Sequence, residues 1–425
     1  MNTGSIHPFS LTAARVLLVI LMGIGISASV FAQPVPQKTT SPSEKTSKVY
    51  PVAWSTPIEG SILSDPILLS DADKALDHLY NMRFEKADSI FSRIEKRYLQ
   101  HPIGPFLKSL TQWWHILSTL TVHDTSQDKA FLAQMDLVID LSAKLTKKKQ
   151  YEFDAMFFRT AAYGFRGRLL SDRENWLRAA QDGKSALDDV FKLAEKDPMN
   201  ADLLFGAGVY EYFAVAMPEQ YPIVKPILFF FPEGNKERGI ERLEIAARHG
   251  RFVSAEAAYF LLQIYSTFQP DYEKSIDLIA YLRGRYPGNA LFHVMEGRIL
   301  FRWGQWERAA TVFTQIEALH QRKVSGYNNE LVSQAHYYLG RNEMLRGDDA
   351  VALSHFQKVI ALESRWKYES FFRVHATLRA GMISDRLGDR KKAVQFYNRV
   401  LKMENQSTSR DRAKKYLKTP YGGGE

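Results

Sequence analysis

The side chains best equipped to recognise a partner are arginines and glutamates in segments that read as helices. Arg298 and Arg341 each follow a glycine, Gly297 and Gly340, in matching surroundings 43 residues apart. Arg302 and Arg386 hold corresponding places further along such segments. Guanidinium groups repeated at one position make a row, and a row suits carboxylates held by paired hydrogen bonds. Glu211, Glu296 and Glu343 lie near small residues, on or beside faces that pack. A carboxylate there needs a cation, because an unpaired buried charge is very costly. Arg166, Arg168, Arg238, Arg298 and Arg341 are the candidates. Either these charges lace adjacent helices together or they form a ligand site.

Catalytic spacing is missing elsewhere. There is no His-Glu-x-x-His, no Gly-x-Ser-x-Gly and no phosphate loop. Glu317-x-x-His320 occurs once, whereas a carboxylate-bridged metal centre needs two such pairs and two further acids. His101, His115 and His123 stand 14 and 8 residues apart, which does not gather them on one short helix face. With no cysteine, disulfides, thiolate metal sites and a cysteine nucleophile are excluded. Gly206-Ala207-Gly208 follows no strand and reads as close helix packing. The expectation is a noncatalytic protein with no cofactor and no metal.

The elements that carry these residues repeat. Gly297, Gly304, Ala309, Phe313 and Ile316 share their spacing with Gly340, Gly347, Ala352, Phe356 and Val359, and with Gly381, Gly388, Ala393, Tyr397 and Val400. Each unit reads as a helix with a small residue, a turn at the second glycine, and a helix that buries an aromatic and a branched residue. Small residues belong where two helices cross closely, and the aromatic is expected to fill space toward the next pair. Ser275 stands one 34-residue period before Ala309, and Ala75, Ala87, Phe91 and Ile94 form an earlier copy without the turn glycine.

These segments, among them "LFHVMEGRILFRWGQWERAATVFTQIEAL" and "AHYYLGRNEMLRGDDAVALSHFQKVIALE", resemble tetratricopeptide repeats. The resemblance implies an all-α solenoid of antiparallel hairpins, a TPR-like superhelix. It also implies that the part of the first helix holding Arg298 and Arg341 lines an inner groove where a peptide binds. Residues 100–300, with Trp113-Trp114, "FGAGVYEYFAVAMP" and "KERGIERLEIAARHG", are also distantly similar to the tetratricopeptide repeat protein 39 family.

Between the ends, apolar periodicity predicts helices over 103–120, 128–147, 151–170, 173–196, 201–216 and 237–249. Residues 217–236 interrupt one hairpin, in which Gly208 faces Gly239 and Leu243. Pro218, Pro222, Pro226 and Pro232 break the helix there. Three phenylalanines, Phe229, Phe230 and Phe231, either fold back to close the concave face or grip an apolar partner or membrane surface.

The remaining organisation follows from composition. Arg15, the apolar run Val16–Ile26 and small residues up to Ala32 read as a signal peptide, residues 1–32, cleaved after Ala32. Residues 33–66 read as a flexible linker, 67–252 as divergent hairpins, 253–418 as the repeat array and 419–425 as a disordered tail. The net charge of +9 comes from 56 basic and 47 acidic residues, interspersed rather than blocked, a pattern of solvated faces rather than a nucleic-acid surface. The expected product is a periplasmic or secreted scaffold of a bacterial envelope. It would bind a protein or peptide, acidic by the arginine row, without spanning the membrane. The alternatives are an enzyme or small-ligand binder built near Glu211 and residues 217–239, and a structural subunit of an envelope complex.

Overall fold

The computed structural model describes residues 60–119, 124–197, 200–220, 222, 232–362 and 369–422. The leader, most of the linker and Phe229–Phe231 lie outside them. Among the described residues all regular structure is helical, and the chain forms two compact units that part between Asp271 and Tyr272, with residues 117–119, at the end of the third helix, and 124 grouped with the second unit.

Unit 1 contains α1 (Pro66–Tyr80), α2 (Phe84–Arg97), α3 (Ile103–Thr119), α4 (Asp128–Leu145), α5 (Glu152–Asp172), α6 (Trp176–Lys196), α7 (Ala201–Gln220), α8 (Lys236–His249) and α9 (Ser254–Gln263). Unit 2 contains α10 (Tyr272–Arg285), α11 (Ala290–Arg302), α12 (Trp306–Gln321), α13 (Asn329–Arg346), α14 (Asp349–Ala361), α15 (Phe371–Arg386), α16 (Arg390–Lys402) and α17 (Ser409–Lys418). Within each unit, helices pack on their sequence neighbours as antiparallel hairpins, the TPR-like solenoid arrangement that the repeats imply.

Local signals set the helix limits. Asn289, Asn328 and Ser370 cap α11, α13 and α15 by accepting from the N–H groups of Phe292, Leu331 and Arg373. Asp348 and Asp389 do the same for α14 and α16. The turns between paired helices are left-handed at Gly304, Gly347 and Gly388, with φ of +76°, +86° and +80°. In the first hairpin, where the turn glycine is missing, Met82 takes that conformation with φ 57°.

Packing accounts for the other repeated glycines. A Cβ on Gly297, Gly340 or Gly381 would stand 2.7, 2.8 or 2.6 Å from the ring of Phe313, Phe356 or Tyr397. The aromatic therefore lies on the glycine of its own hairpin, where the missing Cβ leaves room for a ring, and also reaches the following helix, as expected: Phe313 stacks on Tyr338 at 5.0 Å and Tyr397 meets Tyr416 at 5.7 Å. Gly208 and Gly239 pack backbone to backbone: a Cβ on Gly239 would come 2.6 Å from the Tyr212 nitrogen. Ala309, Ala352 and Ala393 are fully buried, as are Ala75 and Ala87.

Four boundaries differ from the sequence reading. Helix α7 runs through Pro218 to Gln220, since a proline in the last turn forfeits little of the remaining hydrogen bonding. The last residues of the stretch read as a flexible linker are docked: Ser61 donates to Asp154, and the Ile62 N–H reaches the same carboxylate at 2.9 Å. At the other end Tyr421 is buried, its N–H bonded to Asp385 at 2.9 Å and its ring 5.3 Å from that of Tyr416, so the segment after 418 is docked at this point. Residue 253 is not where the units part, because α9 packs on α8 and belongs with unit 1.

Candidate functional site: an arginine row on alternate helices

In unit 2, α11, α13, α15 and α17 each touch the next member of that series as well as their hairpin partners. They form a layer of adjacent helices, and each contributes arginine. Arg298 and Arg302 come from α11, Arg341 from α13, Arg379 from α15 and Arg412 from α17.

Aromatic rings hold the guanidinium groups. Arg341 lies over the Phe301 ring at 4.7 Å, Arg379 over Tyr337 at 5.3 Å and Arg412 over Tyr416 at 6.0 Å. The rings beneath are packed in turn: Tyr338 stacks on Phe313 at 5.0 Å, and Tyr337 meets Phe372 at 5.3 Å. A guanidinium stacked by its face keeps its N–H groups in the plane, the geometry that takes a carboxylate in bidentate fashion.

The charges share one field. Burial raises the Tyr338 hydroxyl pKa, while Arg298 and Arg341 on either side oppose that rise. Arg302 is half-buried, and its pKa is lowered by burial and further by Arg298. His375 is pushed down to about 3, first by burial and then by the charges of Arg379, Arg412 and Arg341. Arginines from three helices thus act on a single imidazole.

The structure brings together Arg298, Arg302 and Arg341, but not Arg386. That residue pairs with Asp349 at 2.9 Å, in the first turn of α14. It shares its offset from the repeat glycine with Arg302, yet at the end of α15 it meets an acidic helix start instead of the row. Arg379 and Arg412 were missed by sequence reasoning. The signal for Arg379 was its place two residues before Gly381; Arg412 lies beyond the last repeated glycine, where the motif offers no register.

The carboxylates are engaged in ion pairs, most of them between helices and one, Glu343 with Arg346, within α13. Glu211 is 3% exposed and accepts from Arg238 Nε at 2.5 Å, with Arg242 at 3.1 Å, which ties α7 to α8. Glu296 pairs with Arg283 at 3.2 Å, and Glu343 stands 3.9 Å from Arg346. Arg166 binds Asp182 and Asp136, each at 2.5 Å. Glu317 faces Lys358 at 3.1 Å and His336 at 3.6 Å, whereas His320 turns to the Tyr327 carbonyl at 2.8 Å. His101 stands 3.4 Å from Asp154, His115 lies tilted against the Phe84 ring at 4.1 Å, and His123 lies outside the described residues. Among the described residues no group of histidines and carboxylates is arranged to hold a metal ion.

No family model and no curated protein matches the chain. Among solved structures it is similar to a chain in the crystal structure of the APC/C hetero-tetramer Cut9–Hcn1, at 12% identity, over 81% of this chain and 89% of that one, with a TM-score of 0.26. So loose a superposition leaves the architecture to be read from this chain's own helices.

Proposed function

We propose that the protein is a noncatalytic interaction scaffold whose unit 2 captures an acidic peptide segment or chain terminus along the arginine row. The observation that carries this reading is the placement of Arg298, Arg302, Arg341, Arg379 and Arg412 on four helices of one layer, with Arg341, Arg379 and Arg412 each lying over an aromatic ring. Rigid, pre-oriented guanidinium groups lose little entropy on binding a carboxylate and discriminate by geometry as well as charge. The guest on this reading is a protein and not a nucleic acid. Export to the periplasm or beyond rests on the leader-like residues 1–32, and the chain would work there without spanning a membrane. Among the described residues no helix is long and apolar enough to cross one.

The test is capture by the full chain. Crosslinking followed by affinity purification from native cells identifies the guest, whose acidic segment is then titrated as a labelled peptide. The double variant Arg341→Glu, Arg379→Glu should lose binding, and the affinity of the unaltered protein should fall with salt. Arg386→Ala should bind like the parent. Unchanged binding by the double variant would remove the groove.

A further inference from the structure

Unit 1 contains an apolar cavity of ≈ 180 Å³, bordered by α3, α5, α6, α7 and α9. Its origin is legible in the repeat register. Gly167, Glu174 and Ala179 stand at the spacing of Gly297, Gly304 and Ala309, and Glu174 adopts the left-handed turn with φ 57°. The next two positions hold Phe313 and Ile316 in that copy, and Phe91 and Ile94 in the first hairpin. Here they are Gly183 and Ala186, and both lie on the cavity wall. Close-packed interiors leave a void where a ring is withdrawn. Gly164 on α5 widens it, since a Cβ there would meet no atom within 4 Å.

Two polar groups on this wall have a buried atom with no hydrogen-bond partner. Arg168 is 6% exposed and follows Gly167 as Arg298 follows Gly297. Its guanidinium lies over the rings of Trp113 at 4.9 Å, Phe260 at 5.1 Å and Tyr259 at 5.6 Å. Its Nε finds no acceptor, and it forms no ion pair among the described residues. Thr160, two turns earlier on the same helix, has a buried hydroxyl that is also without a partner. The acids nearby are engaged by other donors: Asp202 accepts from the N–H groups of Phe252 and Val253 at 2.8 and 3.1 Å, and Glu256, which feels the Arg168 charge without forming an ion pair to it, accepts from the Tyr80 hydroxyl at 2.6 Å and is held toward its neutral form by burial. A buried cation so placed calls for an anion from outside.

We propose that this cavity binds a monocarboxylate with an apolar tail, of the medium-chain fatty-acid class, its tail filling the space that other hairpins give to a ring and its carboxylate meeting Arg168. An apolar cavity of roughly 150 Å³ takes up benzene, so the space here suits a tail of about eight carbons. The stacked guanidinium supplies two parallel N–H donors for the head group. This site is separate from the arginine row and does not depend on the reading of unit 2.

Calorimetric titration of the full chain with octanoate, 1-octanol and octylammonium tests the assignment. Octanoate should bind at least tenfold tighter than the alcohol, and the ammonium should not bind. Arg168→Met should erase the preference for the carboxylate while the alcohol's affinity stays. Gly164→Phe, placed in a helix that gains from the loss of glycine, should exclude all three. Equal affinity for octanoate and octanol, a preference that survives Arg168→Met, or no binding of either by the unaltered protein would overturn the proposal. Should Arg168→Met fail to fold, retention of octanoate by Gly164→Phe would overturn it alone.

Discussion

Replacing Glu256 by glutamine should stabilise the protein in mild base and leave it unchanged in acid. The carboxyl is buried in unit 1 beneath Tyr80, Trp114 and Arg168, and burial raises its pKa from 4.5 to about 7, against the pull of the Tyr80 hydroxyl and the Arg168 charge. Between those values the folded protein keeps a proton that the unfolded chain has released. The contribution of this group to stability is therefore complete below pH 4.5 and is lost as pH rises through 7. At 1.36 kcal/mol per pH unit, that interval amounts to about 3 kcal/mol by pH 8. Glutamine keeps an oxygen to accept from Tyr80, now 2.6 Å away, and cannot ionise. Urea unfolding followed by tryptophan fluorescence reports on this unit, because Trp113 and Trp114 are buried beside the site. Glu256→Gln should be more stable than the parent by about 3 kcal/mol at pH 8 and within about 0.5 kcal/mol of it at pH 4.5. A variant no more stable than the parent at pH 8 would refute the reasoning, since it would mean that the carboxyl ionises there at no cost.

Unit 2 should respond to pH with the opposite sign. Burial lowers the pKa of His293 and His336 to about 4 and of His375 to about 3, so the unfolded chain takes up protons below pH 6.5 that the folded one refuses. Stability should fall on acidification by up to about 1.4 kcal/mol per pH unit for each histidine, and His375→Asn should flatten that slope in denaturation curves between pH 7 and 5. Gly340→Ala should destabilise by about 1–3 kcal/mol in urea titrations, because its Cβ would stand 2.8 Å from the Phe356 ring. Glu174→Gly should stabilise by about 1 kcal/mol, relieving an exposed residue held at φ 57°; an unchanged unfolding midpoint would count against the left-handed turn.

The helices themselves were largely readable. The stretch predicted as 103–120 is Ile103–Thr119, and that predicted as 237–249 is Lys236–His249, because each carries an apolar stripe at helical spacing. Gly208, Gly239 and Leu243 pack together as their offsets indicated. Of the arginines, Arg298, Arg302 and Arg341 fall in one cluster, but Arg386 does not. Offset from a glycine specifies a place on a helix; it does not specify which charge on a neighbouring helix stands closest. Asp349 decides that for Arg386.

By itself the sequence determined the helical periodicity, the hairpin turns and the glycines on which rings rest, since these depend on residues close along the chain and on the volume of single side chains. The tertiary structure alone decided which arginines share a field, where Glu211 finds Arg238, and that the gap left at Gly183 opens beside Arg168. Each of these joins residues on different helices, and electrostatic energy and packing voids depend on distances in space that no local spacing contains.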